Sequence, residues 1–446
     1  MEVPSEADGK PVTAIGNAKE PICTNFSFMY NTGRETPNLV KTVIPEGVLS
    51  INENALNDLP VQCEVVLPST LRRLGKNAIS GSCVISGNPE GLEILEALSV
   101  GDYREKPFVL TPGISYIDGE AFSDSQISAF EQSGENAHYS VRDGVLYNAD
   151  GTALVKYPGA GTAEEFTVPE GVVSIEEEAF SAAMNLKKIT LPDSLKEIGR
   201  CAFRQCSSLS EIAFGKSTEL SLIGESAFVY CDALTEISLP PTEAIDEYAF
   251  SSCDALNTVH FAEGTKSIGY GAFRSTLVAA PEFPKTLRKI GDYAFGEYDG
   301  EARPGSAKVI HIPAKVNEIG SNAFSSIGST EFEVDPENLT YSSVDGLLLD
   351  KDVNALLICP AGRSGTVTVP DGATSIMDNA FSNAKGVTDI VIPDSVQYIG
   401  SVNFEPLENE DGSVDDEPRY SVTLHCSKGS YAEAFALQRG IPCQTK

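Results

Sequence analysis

Apolar and polar positions alternate in one segment that returns about every 23 residues along the chain. One copy reads LKKITLP in Leu186–Pro192, and the alternation of period two predicts a half-buried strand. The closing proline lacks the amide needed to extend a ladder, so the strand is predicted to end there. In another copy Ile237 and Leu239 are predicted to point inward, and Glu236 and Ser238 outward.

A second pattern, Ile-x-x-x-Ala-Phe with glycine often in second place, follows each of these strands. Clear copies are Ile198–Phe203, Ile223–Phe228, Ile245–Phe250, Ile268–Phe273, Ile290–Phe295 and Ile319–Phe324. A fixed period of this length is the signature of a solenoid, in which each repeat stacks on its neighbours. The Ile-Gly segment is predicted to be a turn, the alanine to allow close approach and the phenylalanine to fill the core. Strands stacked at about 4.8 Å would form one long parallel sheet.

The combined pattern L-x-x-I-x-h-P-x-x-h-x-x-I-G-x-x-A-F-x-x-C resembles the bacterial leucine-rich repeats of the BspA-like, Treponema pallidum-type family. The resemblance implies a β-rich solenoid of α/β type, right-handed, with one long parallel sheet over residues 1–427. The segment Lys428–Cys443 resembles the helix and short strand that close many family members. Residues 428–446 are therefore expected to be a cap, with Ser430 as helix N-cap and Gly440 as its stop.

The regular pattern is interrupted twice by the same insertion. Residues 128–158 align without gaps to residues 330–360, which pairs Phe130 with Phe332, 202 positions later. In the first copy, apolar runs flank Asn148–Gly151, a spacing that predicts a β-hairpin. We expect an enlarged repeat whose hairpin projects from the solenoid edge. Packing on its own repeat and contact with a ligand both remain open for this hairpin.

The charge balance narrows the set of partners. The chain has 446 residues, with 64 acidic against 32 basic residues and a formal net charge of −32. Nucleic acid needs a basic face and is excluded as a partner, and an anionic membrane surface is disfavoured for the same reason. No apolar stretch approaches the roughly 18 residues of a membrane-spanning helix. Val3-Pro4 matches the middle of a repeat, so the natural protein is expected to extend upstream. We expect a monomer.

The cysteines and acidic side chains are not placed for metal binding. Cys206, Cys231 and Cys253 each follow an Ala-Phe pair by three residues, a register typical of a buried core ladder. No C-x-x-C pair occurs, and no metal site is predicted. Cys426 and Cys443 form the one pair that could be bridged. The acidic segment 405–419 could offer oxygens to Ca²⁺, although a solvated loop is the preferred interpretation.

No arrangement of residues predicts catalysis. The chain has four histidines and lacks a nucleophile elbow, a phosphate-binding glycine loop and a dinucleotide fingerprint. An open solenoid also lacks the enclosed pocket that electrostatic catalysis usually needs. We therefore predict no catalytic residues, no cofactor and no enzyme activity.

The exposed face of the predicted sheet is the candidate binding surface, because repeat proteins usually bind partners along such a face. Its outward residues include Lys188, Glu211, Glu236, Ser238, His260, Glu282, His311 and Asp389. The family resemblance implies an extracellular or cell-surface recognition protein that binds a protein or polysaccharide on a host or microbial surface. The alternative is a structural spacer or stalk. A glycan-binding accessory module ranks last, because exposed aromatic platforms are rare and Trp is absent.

Overall fold

The computed structural model describes residues 5–7, 10–16, 41–56, 59, 63–79, 83–87, 89–100, 106–123, 125–296, 306–404 and 420–446. The acidic segment 405–419, with its expected solvated loop and possible Ca²⁺ ligands, lies outside these residues. The chain divides into two compact units, Met1–Thr218 and Glu219–Lys446, here called unit 1 and unit 2. The division expected from the sequence, residues 1–427 and 428–446, remains a prediction.

Unit 1 consists of short strands. In chain order they are β1 (Glu6–Ala7), β2 (Lys10–Pro11), β3 (Ala14–Ile15), β4 (Lys41–Val43), β5 (Ser50–Ile51), β6 (Glu64–Val66), β7 (Arg73–Leu74), β8 (Val84–Ser86), β9 (Ile94–Leu95), β10 (Phe108–Leu110), β11 (Tyr116–Ile117), β12 (Phe130–Gln132), β13 (Tyr139–Arg142), β14 (Val145–Asn148), β15 (Ala153–Lys156), β16 (Glu165–Thr167), β17 (Ser174–Ile175), β18 (Lys188–Thr190), β19 (Glu197–Ile198) and β20 (Glu211–Ala213).

Unit 2 continues the same alternation and adds a helix near its end. Its elements are β21 (Leu220–Ile223), β22 (Glu236–Leu239), β23 (Thr242–Ile245), β24 (Thr258–Phe261), β25 (Ser267–Ile268), β26 (Lys289–Ile290), β27 (Val309–Ile312), β28 (Glu318–Ile319), β29 (Glu331–Val334), β30 (Tyr341–Val344), β31 (Leu347–Asp350), β32 (Ala355–Ile358), β33 (Ser364–Thr368), β34 (Ser375–Ile376), β35 (Gly386–Val391), β36 (Tyr398–Ile399), β37 (Thr423–Cys426), α1 (Tyr431–Arg439) and β38 (Cys443–Thr445).

The predicted strands before each proline pair in parallel with their neighbours, and we call these pairings the first ladder. In unit 1 they join β4-β6-β8, β10-β12 and β16-β18-β20, and in unit 2 β22-β24, β27-β29 and β33-β35-β37-β38. Within β22 the burial alternates as predicted, with Ile237 and Leu239 buried and Glu236 and Ser238 exposed. The solenoid of parallel sheets is thereby confirmed.

The structure adds a second parallel ladder, formed by the Ile-Gly segments that were predicted to be turns. It joins β3-β5-β7-β9-β11 and β15-β17-β19 in unit 1, and β21-β23-β25-β26-β28 and β32-β34-β36 in unit 2. Most of these strands have only two residues, such as Lys289–Ile290. Two residues are too short to display the alternation that identifies a strand in a sequence.

Phenylalanine side chains stack between the ladders, as the sequence predicts. In unit 1, Phe180 and Phe203 have centroids 4.8 Å apart and an interplanar angle of 9°. In unit 2, Phe228 and Phe250 lie 4.9 Å apart at 4°, and the stack continues through Phe273. Near-parallel stacking follows from the repeat, because each ring sits at the same position one layer further on.

The motif glycine allows backbones to stack closely at Gly291, although the copy Ile245–Phe250 has Asp246 at this position. A Cβ atom at Gly291 would lie 2.6 Å from the carbonyl carbon of Gly269, its equivalent one repeat earlier. A side chain at that distance would push the layers apart. The residue just before each motif alanine takes a left-handed conformation, as in Ser226 (φ 54°) and Gly271 (φ 55°). The second position of the motif and the residue before its alanine together shape the turn that leads into Ala-Phe.

Each insertion forms a three-stranded antiparallel meander: β13-β14-β15 in unit 1 and β30-β31-β32 in unit 2. The last strand of each then pairs in parallel with the second ladder, β15 with β17 and β32 with β34. The inserted strands thus belong to the sheet that carries the Ile-Gly segments.

The C-terminal helix α1 is bounded by two local signals. Ser430 Oγ accepts a hydrogen bond from the amide of Glu433, and the helix ends at Gly440, whose φ is 72°. The ring of Phe435 lies 6.3 Å from that of Phe404, so the helix packs against the Phe of the last repeat motif.

Candidate binding face

All eight residues predicted for the binding face lie on the first ladder, and none of them is fully buried. Lys188 and Glu211 belong to unit 1, and the other six belong to unit 2. The alternation of period two places them outward, because the intervening residues fill the core.

In unit 1, Lys188 and Glu211 stand directly opposite each other on β18 and β20. Lys188 Nζ lies 2.6 Å from Glu211 Oε1. The hydrogen bond to Glu211 raises the pKa of Lys188 above its usual value. Both side chains are more than a third exposed, so this pair contributes little to stability.

In unit 2, four of the predicted residues form one cluster around His260. The imidazole Nε2 lies 3.1 Å from Glu236 Oε1. Ser238 is the ladder partner of His260 on β22, and Glu282 is its bridge partner on the other side. The side chains of His260 and Glu236 are 58% and 61% exposed, so a macromolecule could reach both.

The two remaining predicted residues also form histidine–carboxylate pairs. His311 Nδ1 on β27 lies 3.1 Å from Glu333 Oε2 on β29. Asp389 Oδ1 on β35 lies 2.7 Å from His425 Nε2 on β37. The hydrogen bond from His425, assisted by one from Thr388, lowers the pKa of Asp389. Glu333 and His425 were missed by the sequence analysis. Applying the same outward alternation to β29 and β37 would have found them.

The second ladder of unit 2 carries lysine–glutamate pairs. Lys266 Nζ lies 2.6 Å from Glu243 Oε1, and Lys289 Nζ lies 2.8 Å from Glu318 Oε1. The first ladder of unit 2 has one such pair as well, with Lys308 Nζ 3.5 Å from Glu331 Oε1, beside its three histidine–carboxylate pairs.

The described residues offer no group of three or more His, Cys, Asp or Glu side chains that could hold a metal ion. Among the same residues, no helix combines the length and the apolar character needed to cross a bilayer.

The thiols lie where the repeat places them. Cys206 and Cys253 are buried, and each donates a hydrogen bond to a phenylalanine carbonyl, that of Phe180 at 3.1 Å and of Phe228 at 3.0 Å. Cys426 and Cys443 are free thiols whose sulfur atoms lie 3.3 Å apart.

The chain belongs to the BspA-type leucine-rich repeat family. The family model, in six copies, matches residues 30–148, 158–244, 221–343 and 363–413. Proteins of this repeat class typically mediate protein interactions and are generally non-catalytic.

Several solved structures are similar. A leucine-rich cell surface protein from Faecalibacterium prausnitzii A2-165 is 28% identical, with 60% of this chain and 73% of that chain covered and a TM-score of 0.49. A leucine-rich repeat protein from Bacteroides ovatus ATCC 8483 is 17% identical over 93% of both chains, with a TM-score of 0.43. The leucine-rich repeat protein of T. pallidum is 24% identical over 41% of this chain and 82% of that chain, with a TM-score of 0.32. A comparison with curated protein sequences gave no match.

Proposed function

We propose that this protein is a non-catalytic recognition protein, extracellular or on the cell surface, which binds a protein or polysaccharide of a host or microbial surface. Contact is made by the exposed first ladder, and no chemical step follows. The observation that carries the proposal is the set of histidine–carboxylate pairs in unit 2, two exposed and one half-buried, which join neighbouring strands on one face.

Three properties of this face support the proposal. Its backbone groups are paired in the ladder, so the outward side chains are what a partner would meet. His311 and Glu333 are 73% and 68% exposed, and neither is needed for the core. The net charge of −32 favours a neutral or basic partner, because an acidic one would be repelled.

The test is binding of the purified chain to immobilised extracellular-matrix proteins and to a glycan array, at low and physiological salt. The face variant changes Glu236, His260, His311 and Glu333 together to Gln. The matched control, Glu243→Gln with Glu318→Gln, removes two carboxylates from the second ladder. We expect saturable binding that the face variant loses and the control retains.

Absence of binding to either panel, from a chain shown to be folded by circular dichroism, would favour the structural spacer instead. Equal loss in the face variant and the control would mean that net charge, and not the first ladder, carries the interaction.

A further inference from the structure

A cavity of about 440 Å³ opens in unit 2 between the meander β30–β32 and the two Ala-Phe turns that flank it. Buried Phe324, Phe332 and Cys359 lie at its floor, and exposed Met377 and Asp378 lie at its mouth. Volumes of about 300–1,000 Å³ are typical of small-molecule sites. The sequence analysis did not anticipate this cavity.

The equivalent space in unit 1 is filled by the chain itself. Lys156 is 4% exposed, and its Nζ donates a hydrogen bond of 2.6 Å to the carbonyl oxygen of Glu178. The ring of Tyr157 stacks on Phe180, with centroids 5.0 Å apart. An ammonium group and a phenol ring thus occupy the interior of this insertion.

Unit 2 has shorter side chains at the same two places. The amide of Tyr157 donates to the carbonyl of Ala179 at 2.7 Å, and the amide of Cys359 donates to that of Ala380 at the same distance. The two insertions therefore have the same backbone hydrogen bond at this point. Ile358 occupies the position of Lys156 in unit 1. Ile358 and Cys359 both line the cavity. The cavity arises because these two substitutions remove volume from a shared frame.

The charged residues around this space in unit 1 have uncharged counterparts in unit 2. In unit 1 the carboxylate of buried Glu178 contacts Ser123, and its Oε1 lies 3.8 Å from Arg204 Nη1. Arg200 pairs with Glu120. In unit 2 the positions equivalent to Glu178, Glu120 and Arg200 are Asn379, Asn322 and Ser401.

These replacements restrict the ligand. An anion has no counter-charge, since the cavity lining, all of it within the described residues, includes no Lys or Arg. A cation would lack a buried carboxylate, because Asn379 stands where unit 1 has buried Glu178. The one carboxylate in the lining, Asp378, lies at the exposed mouth.

The amides disfavour a purely apolar ligand. It would leave polar atoms of Asn379 and Asn383 without hydrogen-bond partners, which is costly. Asn322 is already paired, since its Nδ2 donates to Tyr293 Oη at 3.0 Å. Asn383 Nδ2 already donates to Asn322 Oδ1 at 2.8 Å, which orients both groups. Carboxamides both donate and accept, as hydroxyl groups do.

We propose that this cavity binds a neutral, polyhydroxylated ligand of the saccharide class. The carboxamides bind its hydroxyl groups, and its apolar face packs on Met377, whose flexible thioether adapts to irregular surfaces. Burial raises the pKa of Cys359 to about 12, so the thiol at the floor stays neutral and unreactive at physiological pH. The site binds and carries out no chemistry. It is separate from the first-ladder face and does not depend on the function proposed for that face.

The test uses methyl resonances of methionine in the full chain. The sequence has four Met residues. Met377 lines the cavity, while Met184 is 53% exposed in unit 1 and serves as an internal control. With ¹³C-methyl-methionine labelling, the chain is titrated with methyl glycosides of glucose, mannose, galactose and N-acetylglucosamine, and separately with n-butylammonium and sulfate. We expect a saturable shift of Met377 with at least one glycoside, no shift of Met184, and no response to either ion.

The matched variants exchange the interiors of the insertions. Ile358→Lys with Cys359→Tyr copies unit 1 and should weaken glycoside binding at least about tenfold, whereas Ile358→Val should retain it. Should the double variant fail to fold, Asn383→Ala at the half-buried rim is expected to weaken binding without filling the cavity. A Met377 shift caused by n-butylammonium alone, or no shift with any glycoside, would overturn the proposal.

One further arm separates two sources of the ligand. A trisaccharide of the responding sugar that binds more tightly than its methyl glycoside would identify a residue within a polymer. Binding of the methyl glycoside without binding of the trisaccharide would identify a free sugar. Both results support the cavity as a saccharide site, and failure of this test leaves the first-ladder face unaffected.

Discussion

The two meander insertions share a frame and differ in what they enclose. Asn136 Nδ2 donates to the carbonyls of Thr111 and Ile114 at 2.8 and 2.7 Å. Asn338 Nδ2 donates in the same way to those of Pro313 and Val316, both at 2.9 Å. In each case the amide oxygen accepts two backbone amides of the insertion itself. One asparagine therefore fixes each meander to the repeat before it.

A tyrosine makes the second shared attachment. The hydroxyl of Tyr139 accepts from the amide of Ile117 at 2.9 Å, and that of Tyr341 from the amide of Ile319 at 3.0 Å. Burial raises the pKa of both tyrosines, which keeps these hydroxyls neutral. The identities found in the gapless alignment thus mark the frame. The differences at its centre decide whether the insertion is filled or open.

The largest expected effect tests the frame. Asn338 is fully buried, so Asn338→Ala should cost about 4 kcal/mol in the free energy of local unfolding, because two carbonyls and two amides lose their partner. The same change at half-buried Asn136 should cost about 2 kcal/mol, since water can reach part of that site. Hydrogen exchange of the meander amides measures both values. Leu339→Ala, at a side chain that is 85% exposed, should change stability by less than about 0.5 kcal/mol.

The next test exchanges the interiors. Tyr157→Cys gives unit 1 the residue of unit 2, and it should cost about 3 kcal/mol because the ring that packs on Phe180 and Phe166 is lost. The reverse change, Cys359→Tyr, should alter stability by less than about 1 kcal/mol, because the cavity has room for the ring. Denaturant titration followed by hydrogen exchange measures the change in the free energy of unfolding for both variants. Equal losses in both directions would mean that unit 2 has no usable space.

A smaller effect is expected for the charges at the rim of unit 1. Arg200 contacts Glu120 and Glu177, and its side chain is 41% exposed. Arg200→Met should therefore cost less than about 1 kcal/mol, and the loss should fall further in 1 M NaCl, which screens exposed pairs. Ser401→Ala at the equivalent position of unit 2 should have no effect at either salt concentration. A loss for Arg200→Met that is independent of salt would point to packing in place of charge.

The smallest expected effect concerns the reactivity of Cys359, which occupies in unit 2 the position of Tyr157 in unit 1. The pKa of Cys359 is raised from 9.0 to about 12 by burial, so its thiolate population at pH 8 is lower by roughly a thousandfold. Alkylation by iodoacetamide should be negligible at pH 8 and increase as the pH approaches 12. Cys443 is only partly buried and has a pKa raised to about 11, so it should react first. Peptide mass spectrometry distinguishes the two sites. Rapid labelling of Cys359 at pH 8 would show that its surroundings are more open than the fold indicates.

Much of the fold could be predicted from the sequence, because the same pattern of buried and exposed residues recurs in every repeat. The alternation in Leu234–Pro240 predicted the first-ladder strand, and the spacing of Ala249 and Phe250 predicted the stacked core. The second ladder was not predicted, because a two-residue strand such as Ser267–Ile268 has no alternation to detect. Its pairing depends on neighbouring layers and not on local preference.

The outward positions of the candidate face also follow from the sequence, since Glu236 and His260 alternate with core residues. Which carboxylate each histidine meets does not follow. His260 pairs with Glu236 on the preceding strand of the ladder, whereas His311 pairs with Glu333 on the following one. Side-chain rotamers within the assembled ladder decide that choice.

The sequence by itself determined the repeat, the buried and exposed rows and the family, because periodicity is a property of residue order. The tertiary structure decided which of two matching insertions is filled. Lys156 and Ile358 occupy aligned positions, and each is compatible with a strand. In the assembled layers Lys156 fills the interior of its insertion, whereas Ile358 lies in the wall of a cavity. Enclosed volume is set by side chains that come together across layers, and residue order does not specify it.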